Sequence, residues 1–147
     1  MVKGEPIVIL LVEDDMAHAE IVRRNLEDFR VANKIVHVTD GQVALDYLFQ
    51  WDRYADAVAH PKPSLILLDL RLPKVDGIEV LRSLKSDEQL RRIPVVVLST
   101  SESDIDMANA YSYGANSYLV KPVDFQKFTQ LLETFGYNWL AWNRFPD

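Results

Sequence analysis

The sequence contains no cysteine, which excludes disulfide bonds, thiolate zinc sites and cysteine nucleophiles. Positive charge is also scarce. There are 16 lysine and arginine residues against 22 acidic ones, giving a formal net charge of −6 and a pI near 5.0. Because affinity for nucleic acid comes largely from clustered lysine and arginine, this balance argues against a protein that binds DNA or RNA.

Glycine and histidine are few, and their spacing supports neither a nucleotide site nor a histidine metal site. The five glycines form no GxxxxGK loop that would cradle phosphates. His18, His37 and His60 show neither HxxxH nor HxxH spacing. Each is therefore expected to be an ordinary surface or interface residue.

Long hydrophobic runs are absent as well. The N-terminal stretch MVKGEPIVILLVEDD has only six consecutive apolar residues before two acids, too few for a signal peptide or a membrane span. At 147 residues the chain has the usual length of one domain, and it shows no repeat, low-complexity tract or linker. We therefore expect a single domain over residues 1–147, in the cytoplasm and without a membrane segment.

Short apolar segments alternate with helical patterns along the chain. Strands are predicted over residues 7–12, 35–38, 64–68, 93–98 and 117–120. Apolar residues at i, i+3 and i+4 predict a helix after each of them. The expected N-caps of the later helices are Asp40, Asp76 (in an acidic capping box with Glu79), Ser103 and Asp124. This alternation predicts an α/β fold with a parallel sheet and right-handed crossovers.

One predicted connection is longer than the others. Residues 51–63, WDRYADAVAHPKP, separate the second helix from the third strand and contain two prolines that end any helix. We expect a surface loop. The alternative is a loop that contacts a partner through Trp51 and Tyr54.

Chemically reactive side chains follow three of the predicted strands. Glu13 and Asp14 follow the first strand, Asp69 the third and Lys121 the fifth. The carboxyl ends of parallel strands meet at one edge of the sheet, where ligands bind in open α/β folds. Two carboxylates about 4 Å apart repel by roughly 4 kcal/mol, so three together favour a hard divalent cation, for which Mg²⁺ is the natural choice. The alternative is that the first two acids merely cap the first helix, which Asp15 could also do. It is weakened by the presence of Asp69 at the end of the neighbouring strand.

Asp69 is also a candidate nucleophile. A carboxylate can attack phosphorus and form an acyl phosphate when the charge on the transferring group is neutralised and the attack is aligned. Lys121 suits one phosphoryl oxygen, and its bond to Pro122 could be cis. The fourth strand ends in Ser99 and Thr100, one of whose hydroxyls is expected to face the same crevice.

With these motifs in order on successive strands, the sequence resembles the receiver domain of two-component response regulators over residues 7 to about 135. The resemblance implies a doubly wound, five-stranded parallel sheet with strand order 2-1-3-4-5. It implies that Asp69 is the phosphoacceptor. Asp14 would be a direct ligand of Mg²⁺, Glu13 would act mainly through water, and Arg71 would contribute its backbone carbonyl.

The same resemblance implies a switch mechanism. Lys121 would bind the phosphoryl group, Ser99 would be the switch hydroxyl, and Tyr118 the aromatic residue that rotates inward. Thr100 departs from the family pattern, because a smaller residue usually stands there beside the phosphate. This departure leaves the lifetime of the phosphorylated state open.

The long loop before PSLILLDLRLP and the aromatic tail YNWLAWNRFPD are similar to single-domain regulators that serve cyanobacterial phytochromes. The resemblance implies a phosphorelay protein that accepts its phosphoryl group from a sensor histidine kinase, here of phytochrome type. It implies no enzymatic activity beyond self-phosphorylation and autodephosphorylation. Two alternatives stay open. One is a haloacid-dehalogenase-type phosphatase, although Arg71 stands where that family needs a second Asp. The other is a receiver-like module that takes no phosphate.

Residues 136–147 are predicted to be an aromatic C-terminal extension. If the last helix continues into it, one apolar stripe is formed by Phe128, Leu132, Phe135, Trp139 and Trp142. Large exposed apolar surfaces usually mark interfaces, and Trp is enriched at binding hot spots. We therefore expect a homodimer with Phe135, Trp139 and Trp142 in the interface. The alternative is that the tail folds back onto its own domain.

Overall fold

The computed structural model describes residues 7–27 and 33–136, in which five strands alternate with five α-helices. The strands are β1 (Ile7–Val12), β2 (Asn33–Val38), β3 (Leu65–Leu68), β4 (Val95–Ser99) and β5 (Ser117–Val120). The helices are α1 (Met16–Glu27), α2 (Gly41–Leu48), α3 (Gly77–Lys85), α4 (Asp104–Ser112) and α5 (Phe125–Gly136). Short 3₁₀ helices at Asp52–Tyr54 and Leu90–Arg92 lie in the connections before β3 and β4.

The five strands are parallel and lie in the order β2-β1-β3-β4-β5, which confirms the expected topology. In such a sheet the ligand crevice lies where the strand order reverses, at the carboxyl ends of β1 and β3. Val12 pairs with Leu68, so Glu13 and Asp69 leave the sheet side by side. Ser99 pairs with Val120, which places Lys121 beside the end of β4.

Apolar layers cover both faces of the sheet. On one face, the strands pack with α1 and α5 through Ile7, Ile9, Leu11, Val22, Leu26, Phe128 and Leu132. On the other face, they pack with α2, α3 and α4 through Leu10, Val12, Leu48, Val80, Leu81, Leu84 and Ala110. Burial of each large apolar side chain contributes about 1.5–3 kcal/mol relative to exposure. The strand ends that carry the polar residues are therefore held from both sides, although α4 contributes only Ala110 as a buried residue.

Four strand boundaries differ from the prediction, two of them by one residue, since β3 begins at Leu65 and β4 ends at Ser99. β2 begins two residues earlier than predicted, at Asn33, and β4 begins two residues later, at Val95. The later start has a local cause. Ile93 still caps the 3₁₀ helix before it, through its N–H to the carbonyl of Leu90, and Pro94 has no N–H to give to a ladder.

Three of the four predicted helix caps are confirmed. The side chains of Asp40, Ser103 and Asp124 each accept backbone N–H groups of the helix that follows. The capping box at Asp76 is wrong. Asp76 stands at the N-cap position without a side-chain cap bond, and its expected partner Glu79 is instead paired with Arg82 at 3.1 Å.

The long loop lies on the surface, as expected, but it is closed by a small aromatic cluster. Tyr54 is buried and packs edge-on against Tyr47 and His60, with ring centroids 5.1 and 5.0 Å apart. Tyr47 also donates its hydroxyl to the carbonyl of Pro61 at 2.7 Å. Tyr54 therefore belongs to the core and is not a contact residue, whereas Trp51 is 49% exposed.

Of the apolar stripe that was expected to form a dimer interface, the structure describes the side chains of only the first two residues. Phe128 and Leu132 are buried against α1 and the sheet, so these two residues are not part of an exposed stripe. The side chain of Phe135, and the whole of Trp139 and Trp142, lie outside the described residues. Within the described ranges, none of the helices combines the length and the apolar character needed to cross a bilayer.

Candidate functional site

Three carboxylates converge at the carboxyl edge of the sheet. The backbone N–H of Glu13 donates to Val38 and that of Asp69 donates to Val12, both at 3.0 Å, so these residues extend the ladders of β1 and β3. One oxygen each from Glu13, Asp14 and Asp69 lies within 4.8 Å of the others. Glu13 and Asp69 are buried, whereas Asp14 is exposed.

Lys121 brings one positive charge into this cluster. Its N–H donates to the carbonyl of Ser99 at 2.7 Å, which fixes the end of β5 beside β4. Its side chain is buried, and Nζ donates to Glu13 Oε1 in a close contact and to Asp69 Oδ2 at 3.2 Å. The Lys121–Pro122 bond, which the sequence analysis allowed to be cis, is trans like the other peptide bonds of the described chain.

One lysine does not neutralise this site. The pKa of Glu13 is raised to about 8, first by burial and then by its hydrogen bond with Asp69, and Lys121 offsets only part of this rise. A cluster of oxygen ligands with excess negative charge fits a hard divalent cation. Glu13, Asp14 and Asp69 would hold it.

Asp15, and not the acidic pair, caps α1. Its Oδ1 accepts the backbone N–H groups of Ala17 at 2.9 Å and His18 at 3.1 Å. The bond from His18 is the largest cause that lowers the pKa of Asp15 below its ordinary value. Glu13 and Asp14 are therefore not needed as caps, which removes the alternative explanation for them.

The expected switch residues meet at one backbone segment. Ser99 is fully buried, and its Oγ accepts the N–H of Ser101 at 3.2 Å. Tyr118 points inward, with its hydroxyl donating to the carbonyl of Ser101 at 3.0 Å. Thr100 stands between Ser99 and Ser101 in the chain and is exposed. Ser101 thus connects the end of β4 to Tyr118 on β5.

A polar network continues from this segment into α4. The Ser101 hydroxyl donates to Asp106 Oδ2 at 2.5 Å, and Arg71 Nη2 donates to the same oxygen at 3.1 Å. Arg71 also donates its backbone N–H to Asp69 Oδ1 at 3.2 Å. The loop that carries Asp69 is therefore joined to the first turn of α4. The position of the Arg71 carbonyl as a metal ligand stays a prediction.

Sequence reasoning missed two histidines that belong to the site. His18 Nδ1 lies 3.2 Å from Lys121 Nζ, and His37 Nε2 lies 2.8 Å from the carbonyl of Glu13. The expectation that each is an ordinary surface or interface residue did not include these contacts. One signal was available for His18: it stands three residues after the N-cap Asp15, on the helix turn nearest the end of β1. Asp106 was missed as well, because its partners come from two different loops.

Comparisons with known proteins agree with this geometry. The chain is 48% identical to the probable methanogenesis regulatory protein FilR2 of Methanothrix harundinacea, over 97% of this chain and 89% of that protein. It is 41% identical to the response regulator Rcp1 of Synechocystis, over 88% of both chains.

Solved structures of response regulators are also similar to this chain. The crystal structure of the Mn²⁺-bound form of Rcp1 superimposes with a TM-score of 0.92 at 37% identity, over 97% of this chain and 100% of that one. The phosphorylated cyanobacterial phytochrome response regulator RcpA also gives 0.92, at 40% identity and the same coverage. Residues 9–133 match the response regulator receiver domain. The chain therefore belongs to the response regulator receiver family of two-component signalling, and its relatives include single-domain phytochrome response regulators.

Proposed function

We propose that this protein is a signalling switch in which Asp69 accepts a phosphoryl group from a phosphohistidine of a sensor histidine kinase. The observation that carries the proposal is the convergence of Glu13, Asp14, Asp69 and Lys121 at one edge of the sheet. An oxygen of Asp69 would attack phosphorus while the N–P bond of the donor breaks. An acyl phosphate forms, and the donor imidazole leaves.

Lys121 and Ser99 would hold the transferred group. Lys121 already donates to Asp69 Oδ2 and would donate to a phosphoryl oxygen after transfer. The Ser99 hydroxyl would turn from the N–H of Ser101 to the same group. The carbonyl of Ser101 accepts the Tyr118 hydroxyl, and Tyr118 already points inward. This movement would therefore break that hydrogen bond and change the rotamer of Tyr118, rather than bring the ring in from the surface, and it would alter the surface of α4, β5 and α5.

Mg²⁺ is the cation we propose for the acidic cluster, with the Arg71 carbonyl as a further ligand. The all-oxygen set of Glu13, Asp14 and Asp69 supports a hard cation, and the related Rcp1 has been crystallised in an Mn²⁺-bound form. When bound, such a cation neutralises charge on the carboxylates and on the transferring phosphoryl group. The site residues then have only to orient the attack and bind the product.

Phosphorylation can be tested with radiolabelled acetyl phosphate and Mg²⁺. The wild-type protein should take up label that mass spectrometry locates at Asp69. The Asp69→Asn variant, and the wild-type protein with a chelator, should take up none. Label in Asp69→Asn at the wild-type level would contradict the assignment.

The cation can be tested separately through Asp14, which is exposed and lies outside the apolar core. Asp14→Asn should bind Mg²⁺ at least about tenfold more weakly than the wild type, with little change in the unfolding temperature. Calorimetric titration measures the affinity. An unchanged affinity would mean that Asp14 is not a ligand.

A phytochrome-type kinase is the proposed phosphodonor, supported by the likeness to Rcp1 and RcpA. A second candidate is a kinase of another sensory class, because FilR2, at 48% identity, is a probable regulator of methanogenesis. Purified phosphorylated kinases of both classes should be mixed with the protein and label transfer followed over seconds. Faster transfer from the phytochrome-type kinase supports the first candidate, and the reverse order supports the second.

The remaining parts of the proposal concern the whole chain. We propose a single receiver domain over residues 1–147 with residues 136–147 as an extension, acting in the cytoplasm as a homodimer. We propose no catalysis beyond self-phosphorylation and autodephosphorylation. Because the chain belongs to the receiver family, the haloacid-dehalogenase-type phosphatase is no longer an alternative. The receiver-like module without phosphate is the outcome that a failed labelling experiment would favour.

A further inference from the structure

The ammonium group of Lys121 has three acceptors around it. An ammonium has three N–H donors and no acceptor. The side chain is 1% exposed, and Nζ lies within hydrogen-bonding distance of Glu13 Oε1, Asp69 Oδ2 and His18 Nδ1. The first two acceptors belong to the proposed phosphoryl site. His18 has been given no role there.

The geometry decides what the His18 ring does. Because a lysine can only donate, Nδ1 must be the acceptor at 3.2 Å, and the ring proton then lies on Nε2. A ring that donated from Nδ1 would need an acid within reach. Asp15 Oδ2 and Glu13 Oε1 are 3.7 and 3.9 Å away, beyond hydrogen-bond length. Nδ1 of His18 is thus the one acceptor among the three that is not a carboxylate oxygen.

The ring is held in this position from two sides. Its backbone N–H donates to the N-cap carboxylate of Asp15 at 3.1 Å. The ring itself stacks on Phe128 of α5, with centroids 5.6 Å apart and an interplanar angle of 25°. Phe128 is buried, while His18 is 23% exposed. The acceptor atom therefore has a fixed direction set by α1 and α5 together.

We propose that His18 is a positioning residue for phosphoryl transfer to Asp69, and that its Nδ1 holds the Lys121 ammonium at the acidic cluster. This inference rests on the phosphoacceptor function proposed above. During transfer Lys121 has to exchange the Asp69 carboxylate for a phosphoryl oxygen. An imidazole nitrogen as the third acceptor keeps the ammonium in place during this exchange without adding a further carboxylate that would repel the phosphoryl group.

Three substitutions of His18 distinguish the effect of the acceptor atom from the effect of the side-chain shape. Asn at position 18 places an amide oxygen close to where Nδ1 lies, Gln places it near Nε2, and Leu keeps the apolar contact with Phe128 without any acceptor. His60→Leu is the matched control, because His60 packs on Tyr47 and Tyr54 in the long loop. Circular dichroism and thermal unfolding check that each variant folds.

The first readout is the Lys121 ammonium itself, measured by ¹H–¹⁵N spectroscopy without added metal or phosphodonor. The wild-type protein should give a slowly exchanging ammonium signal that Lys121→Met removes. His18→Leu and His18→Gln should broaden or shift this signal, and His18→Asn should retain it. A signal that is the same in wild type and His18→Leu would overturn the inference.

The second readout is the initial rate of Asp69 labelling by acetyl phosphate with Mg²⁺. The rate should fall on the order of tenfold in His18→Leu and His18→Gln, the size expected from loss of one hydrogen bond to a charged group. It should recover in His18→Asn and stay at the wild-type level in His60→Leu. Equal rates in Asn and Gln, or no fall in Leu, would overturn the positioning role while the phosphoacceptor function stands. A wild-type protein that takes no label would overturn both.

Discussion

Gly77 is a position where a single methyl group should disturb both stability and phosphorylation. It opens α3 directly behind Asp69. A Cβ built there would lie 2.3 Å from the carbonyl oxygen of Asp69 and 2.6 Å from the Cα of Leu70, about 1 Å closer than ordinary van der Waals contact. Its N–H also donates to the carbonyl of Leu70 at 3.0 Å. In Gly77→Ala, either α3 or the Asp69 backbone must move.

The expected cost follows from these contacts. Overpacking at a close contact costs about 1–3 kcal/mol, and weakening the hydrogen bond to Leu70 adds roughly 1 kcal/mol. Alanine regains up to about 1 kcal/mol through its better helix propensity. We expect Gly77→Ala to lower the free energy of unfolding by about 1–4 kcal/mol, measured by urea denaturation. The labelling rate at Asp69 should also fall, because the displaced backbone carries the nucleophile.

Gly114→Ala is the control that separates a loss of stability from a loss of the labelling rate at Asp69. Gly114 has φ of +103°, so alanine is strained there, and the nearest atoms to an added Cβ belong to the flexible side chain of Lys85. This variant should lose stability to a similar extent, about 1–2 kcal/mol, and still be labelled at the wild-type rate. The reasoning is refuted if Gly77→Ala unfolds at the wild-type urea concentration and accepts label at the wild-type rate.

Three further predictions test other parts of the molecule. Asp15→Ala should cost about 1 kcal/mol of stability through loss of the α1 cap. Because the folded-state pKa of Asp15 is lowered, that contribution should be complete above its ordinary pKa of 3.8 and disappear as the pH falls through the lowered value, as paired urea titrations would show. Ser99→Ala should still be labelled but should lose the phosphorylation-induced spectral change around Tyr118, and a full change there would count against the proposed switch. Truncation after Gly136 should convert a dimer to a monomer by light scattering. An unchanged dimer would exclude the tail, and a monomeric full-length protein, with and without phosphorylation, would exclude the dimer.

The site residues that follow the strand ends were predictable from sequence, because the local apolar pattern and the sheet topology determine where they lie. A run such as LILL, bounded by turn residues, is typical of a buried strand, and parallel register then places Asp69 beside Glu13. The positions of Glu13, Asp14, Asp69 and Lys121 follow from that alone. Their roles as ligands and phosphoacceptor remain predictions that the labelling and titration experiments test.

The site residues on helices, His18 and Asp106, were not predictable, because their contacts depend on how each helix is rotated against its neighbours. His18 reaches Lys121 only because α1 packs on α5 through Phe128. Asp106 bridges Arg71 and Ser101, which come from separate loops. The error at Asp76 has a different origin, since Glu79 pairs with Arg82 three residues later on the same helix, a competing pairing that helical spacing allows. Contacts between different elements, in contrast, are not determined by spacing along the chain.

α4 differs from the other helices in what fastens it. Ala110 is its one buried residue, Ile105 is 72% exposed, and its first turn is tied down through Asp106 to Ser101 and to the mostly exposed Arg71. Such polar contacts contribute about 1 kcal/mol each, and an exposed ion pair contributes less as salt rises. Releasing the first turn of α4 therefore requires only about the free energy of one or two hydrogen bonds, within the usual range of coupling between two binding sites. We expect single polar substitutions at Ser101, Asp106 or Arg71 to change how readily this turn moves while leaving the apolar core intact.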